Sequence, residues 1–163
     1  MTNPLGVVSA RWPFRAALAV VGALALASCS ITEPGRSART IELTRNRQLW
    51  TSVRLHDYEF DYQLSCFCGS ESTESVHVIV RGDQISAAFR TRDGLPALRP
   101  FGTWPTVADL FDDVQQQLER KAERLEITYD PTYGYPRSII ADVSFMIADD
   151  ESSQTASNLR PLP

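Results

Sequence analysis

Tyr58-Glu59-Phe60-Asp61-Tyr62-Gln63-Leu64-Ser65 alternates apolar and polar side chains without a break. A period of two in strand-forming residues predicts a β-strand with one buried and one wet face. Downstream, Val76, Val78 and Val80 alternate with His77 and Ile79 in a second strand. Arg81-Gly82-Asp83-Gln84 reads as a tight turn, because Gly-Asp tolerates the positive φ that a hairpin needs, and Ile85 to Arg90 returns as the partner strand. Short connections of this kind favour antiparallel pairing.

Working outward, Thr91 to Pro105 holds Gly and Pro and reads as loop. Thr106-Val107-Ala108-Asp109 has the form of a capping box, and Val107, Leu110, Phe111, Val114 and Leu118 follow at helical spacing to about Arg120. Leu125, Ile127 and Tyr129 alternate as a further strand, Asp130 to Pro136 is a turn, and Ile139 to Phe145 forms a last strand. Upstream, Leu49, Trp50 and Val53 fit one face of a first helix within Ile41 to Leu55. The order is α-β-β-β-α-β-β. The expected fold is α+β: an antiparallel β-sheet of about five strands with two helices packed on one face.

The N-terminal end carries a different kind of information. After Arg11 and Arg15, the stretch from Ala16 to Ala27 is free of charge and twelve residues long. A membrane-spanning helix needs ~20 apolar residues, whereas a signal-peptide core needs ~7–15. Leu26-Ala27-Ser28-Cys29 closes the run and resembles the lipobox of bacterial lipoprotein signals. That resemblance implies cleavage before Cys29, acylation of Cys29, and attachment to the cell membrane or outer membrane with the domain extracytoplasmic. The other reading is an ordinary secretory signal with a chance cysteine.

The expected organisation is a lipoprotein signal peptide over residues 1–28, lipidated Cys29 with a flexible polar tether over 29–40, one α+β domain over 41–148, and a disordered tail over 149–163. Cleavage would remove two of the 16 basic residues and none of the 20 acidic ones, moving the net charge from −4 to about −6. A mildly acidic domain is a poor candidate for nucleic acid, so the expected partners are membrane lipid through acylated Cys29 and an unidentified envelope protein or ligand.

Cys66-Phe67-Cys68 ends the first strand. With Cys29 set aside for lipid, these are the two remaining thiols, and an exported chain meets an oxidising compartment. Residues two apart in a strand have Cα atoms ~6.6 Å apart, the upper limit of disulfide reach, and a bend helped by Gly69 would bring them within it. The pair reads as a structural clip on the strand end. A redox-active pair is the alternative, although the usual redox spacing is Cys-x-x-Cys and no Lys or Arg neighbours either thiol. A metal site would need two further ligands, with His56 and His77 the only histidines. No metal and no cofactor is expected.

No serine lies in a Gly-x-Ser-x-Gly frame, no Gly-rich phosphate loop occurs, and Asp112, Asp113, Glu119, Glu123 and Glu126 read as helix-dipole and solvated-face acids. No catalytic residue is therefore assigned. Tyr133 and Tyr135 beside Gly134 form either a contact patch or a cover closing the turn over the core.

Trp50, Tyr58-x-x-x-Tyr62, Cys66-x-Cys68, the Val-rich strand with Gly82-Asp83, Thr106-Val107-x-Asp109-Leu110-Phe111 and Tyr129-Asp130-Pro131-Thr132-Tyr133-Gly134-Tyr135-Pro136 occur in this order. Together they resemble the DUF6174 family of uncharacterised bacterial proteins, often lipoproteins, over about residues 45–148. The family carries no activity to transfer. The expectation is a non-catalytic binding or envelope-associated domain, with a thiol–disulfide protein as the alternative.

Overall fold

The computed structural model describes residues 34–147 and 149–163. Their order is α1 (Pro34–Val53), β1 (Tyr58–Cys66), β2 (Val76–Arg81), β3 (Gln84–Arg90), a 3-10 turn (Phe101–Thr103), α2 (Val107–Arg120), β4 (Arg124–Tyr129), β5 (Pro136–Asp142) and β6 (Ser152–Pro161). The strands form one sheet in the order β3-β2-β1-β6-β5-β4, every neighbour antiparallel. The fold class is the expected α+β, with six strands where about five were expected. Two three-stranded meanders join through the β1–β6 pair, and α2 carries the chain from one sheet edge to the other.

One face of the sheet makes the core. Tyr58, Phe60 and Tyr62 of β1, Val76, Val78 and Val80 of β2, Leu125 of β4 and Ile139 of β5 are buried there against Leu110, Phe111 and Val114 of α2. The capping box forms as its sequence predicts: Thr106 Oγ1 accepts the Asp109 N–H at 3.2 Å, and Asp109 Oδ2 accepts the Thr106 N–H at 2.8 Å. The β2–β3 hairpin turns through Gly82 and Asp83, both at positive φ.

The C-terminal end corrects the expected tail. Residues 152–161, read as disordered, form β6 at the centre of the sheet, so the domain runs well past residue 148. The segment is polar because its stability comes from its neighbours: β1 pairs with one edge and β5 with the other. Ala156 is buried beneath the helices. Gln154 accepts the Tyr62 hydroxyl proton at 3.0 Å and donates to Asp113 Oδ2 at 2.7 Å, tying β6 to β1 and α2.

The N-terminal boundary shifts as well. Residues 34–40, assigned to the tether, are the first turns of α1, which begins at Pro34. A proline is tolerated there because the first helical N–H groups have no intrahelical acceptor. The buried stripe of α1 also differs from the expected face: Leu43 is buried and Trp50 half-buried, while Leu49 and Val53 each keep over a third of their surface exposed. Arg47 fills the position between them, its guanidinium 5.5 Å over the Phe111 ring. β5 ends at Asp142, so Phe145 lies in the β5–β6 loop and not in a strand.

Gly134 sets how closely α1 approaches the β4–β5 turn. It has φ +78°, and a Cβ there would sit 2.6 Å from the Asn46 carbonyl oxygen and 3.1 Å from Leu49 Cβ. The open edges are blunted: Pro96 bridges Phe89 on β3, and β4 presents Arg124 and Glu126 outward.

Candidate functional site

A cleft of about 570 Å³ opens where the C-terminal half of α1, the start of α2 and the β2–β3 hairpin meet. Its apolar surface comes from Trp50, Leu55, Ala108 and Phe111. Trp50 is held edge-on against the buried Tyr58 ring, with centroids 5.2 Å apart. Charged groups ring the opening. Arg47 pairs with Asp112 at 2.9 Å, and His56 Nδ1 lies 2.6 Å from Asp83 Oδ2. The hairpin is fixed to the start of β1 by two further bonds: Asp83 N–H to the His56 carbonyl at 3.0 Å and Gly82 N–H to Asp57 Oδ1 at 2.7 Å.

An apolar slot with both signs of charge at its mouth suits an amphipathic ligand or a peptide side chain. A histidine oriented by a carboxylate is half of a nucleophile-activating arrangement. The other half is missing from the cleft as built: the Thr51 hydroxyl, which also lines it, donates into its own helix to the Arg47 carbonyl at 2.8 Å.

The open sheet face carries a second polar constellation. His77 bridges two carboxylates, with Nδ1 2.8 Å from Asp61 Oδ1 and Nε2 3.2 Å from Glu59 Oε2. Asn158 donates to Asp61 at 2.8 Å, and Arg160 pairs with Glu59. Burial alone would raise the Glu59 and Asp61 carboxyls. The hydrogen bonds from His77 and Arg160 to Glu59, and from Asn158 and His77 to Asp61, outweigh it and leave both below their ordinary values. These contacts tie β2, β1 and β6 together in one cross-strand network.

The residues singled out from the sequence fall in separate places. Cys29 lies outside the described residues. Cys66 and Cys68 sit at disulfide distance, with Cα atoms 5.2 Å apart, at the end of β1 where the strand bends into its loop. His56 precedes the opposite end of β1 and His77 is engaged by Asp61 and Glu59, so neither histidine joins the cysteine pair. Tyr135 is buried and Tyr133 half-buried against the core, so the two rings close the turn and do not form an exposed contact patch. The cleft was not anticipated. Trp50 and Phe111 read as core positions and Asp83 as a turn residue, and only packing brings them together.

The molecule is thus a small antiparallel α+β domain with a helix-side cleft and a cross-strand polar network on its open face. The chain belongs to the DUF6174 family, a family of unknown function, whose model matches residues 42–161. That match includes β6, in agreement with the strand's central place in the sheet. No curated protein and no solved structure matches the chain.

Proposed function

We propose that this protein is a bacterial lipoprotein whose domain acts as a non-catalytic binding module outside the cytoplasm, held to its membrane by acylated Cys29. The cleft between Trp50, Leu55 and Phe111 is the observation that carries the binding role: it is apolar within, charged at the rim, and braced by the Trp50–Tyr58 contact. Its ligand would be an envelope protein side chain or small amphipathic molecule with an apolar body and a charged end. The lipobox-like Leu26-Ala27-Ser28-Cys29 supports the anchor. Among the described residues no helix is long and apolar enough to cross a membrane.

The test places a photo-crosslinker at exposed Arg54 on the cleft rim of the full chain in its native envelope, with a second at Arg120 as comparison. Capture of one species at Arg54, abolished by Trp50→Ala, is expected. Equal capture at both positions would remove the cleft from the reading. Intact mass spectrometry of the mature chain should show Cys29 acylated at the new N-terminus.

A second reading uses Cys66 and Cys68 for thiol–disulfide exchange, favoured by their disulfide distance and the exposure of Cys68. Double replacement by Ser separates the two: unchanged folding and phenotype would eliminate the redox role.

A further inference from the structure

Resting on the proposed lipid anchor, we infer that the β5–β6 loop tip, Phe145-Met146-Ile147, inserts into the surface of the bilayer that holds Cys29. All three side chains point into solvent, with Phe145 68 %, Met146 91 % and Ile147 58 % exposed. Three consecutive large apolar side chains at that exposure are unusual for a surface in contact with water alone. They are displayed on a formed turn: Ile147 N–H donates to the Ser144 carbonyl at 2.9 Å, and Phe145 N–H donates to the Glu123 carboxylate.

The position of the tip identifies the bilayer as its occupant. Arg36 and Arg39 of α1, Lys121 at the end of α2 and Phe145 line one cavity, so the tip stands beside the start of α1. Pro34, where α1 begins, is five residues beyond Cys29, a reach of at most ~17 Å from an acylated cysteine. The anchor therefore keeps this end of the domain at the membrane. Phe67, 82 % exposed between Cys66 and Cys68, leaves the sheet at the same end, because Ser152 is the register partner of both Cys66 and Ala141. The loops at the opposite end, 54–57, 82–83 and 130–135, carry no large apolar side chain of comparable exposure.

Charge around the tip is mixed. Arg39, Lys121 and the acid Glu123 line the cavity beside Phe145, and Asp149 and Glu151 follow the tip in the chain, so attraction to anionic lipid is not what holds the contact. Apolar side chains entering ~5–10 Å into the headgroup and acyl boundary would do so, and such a contact persists at high salt, where the screening length falls to ~3 Å.

The experiment uses the full acylated chain in vesicles of phosphatidylethanolamine and phosphatidylglycerol. An environment-sensitive fluorophore is attached through Met146→Cys, or through Thr132→Cys at the far end. Quenching by brominated lipid is expected to be at least ~5-fold greater at 146 than at 132, with little change in ~1 M salt, as insertion of an apolar tip requires. A vesicle-bound, acylated chain whose label at 146 behaves like that at 132 overturns the insertion and leaves the anchor standing. A chain that carries no acyl group and does not float with the vesicles overturns both. Shielding of 146 that persists in detergent and rises with protein concentration would assign the tip to a second copy and overturn the inference.

Discussion

The Tyr58 hydroxyl oxygen accepts the backbone N–H of Val107 at 3.1 Å inside the core. Tyr58 opens β1 and Val107 opens α2, so one bond locks the first central strand to the helix that crosses over it. The N–H groups of a helix's first turn have no partner within the helix, and a buried one needs an acceptor from elsewhere. Tyr58→Phe keeps the ring and its contact with Trp50 but removes that acceptor. Its expected cost is about 1–3 kcal/mol, the desolvation penalty of an orphaned buried donor. Urea unfolding of the two chains measures it, and a difference within ~0.5 kcal/mol would show that the bond is replaced by water.

The same tyrosine predicts an alkaline limit. Burial, only partly offset by the Val107 N–H, pushes the Tyr58 phenol from 10.0 up to about 12. Tyr62, Tyr129 and Tyr135 are also raised, each chiefly by burial. A group whose pKa is higher in the fold contributes stability that is complete below the unfolded value and lost as pH rises through the folded one. Stability should therefore hold to about pH 10 and then fall progressively. Thermal melts across that range, followed together with tyrosinate absorbance, give the readout.

Acid should act on the opposite face of the sheet. Glu59 and Asp61 titrate below their ordinary 4.5 and 3.8 because hydrogen bonds from His77, Arg160 and Asn158 outweigh the effect of burial. Depressed carboxyls contribute stability that is present above the unfolded values and lost as pH falls through the folded ones. The domain should lose stability as pH drops below about 4.5. His77→Ala should move that loss to higher pH, since one hydrogen bond to each carboxylate disappears. An acid-melt series that does not shift would mean that the network contributes little.

Gly134 and Gly94 make a matched pair. Both have positive φ, 78° and 71°, but a Cβ at Gly94 meets nothing within 4 Å, whereas one at Gly134 collides with the Asn46 carbonyl. Gly94→Ala should cost only the backbone strain, about 1–2 kcal/mol. Gly134→Ala adds a clash that forces α1 away from the β4–β5 turn, and a total of roughly 3 kcal/mol or more is expected. Denaturant midpoints of the two variants settle the comparison.

A chain ending at residue 148 should not fold. Without β6, the adjoining edges of β1 and β5 lose their partners, and the β1–β3 meander is cut off from the β4–β5 hairpin. Far-UV circular dichroism should show loss of native sheet, and a truncated chain with a cooperative melt would contradict the assigned topology.

Local chemistry was readable because it depends on near neighbours. Strict alternation in Tyr58–Ser65 and Val76–Val80, the Thr106–Asp109 box and the Gly82-Asp83 turn each specify their element through side chains a few positions apart, and each element forms. The α+β class follows from them. The place of β6 could not be read this way: Ser152 to Pro161 has little hydrophobicity of its own, and its strand exists because β1 and β5 satisfy its backbone from both sides. The cleft and the His77 network likewise depend on tertiary structure. Trp50, His56, Asp83 and Phe111 come from four segments, and His77 meets Asp61 because those two residues are register partners across β1 and β2. Periodicity reports which face a residue occupies within its own element. Only the packed chain decides what stands opposite it.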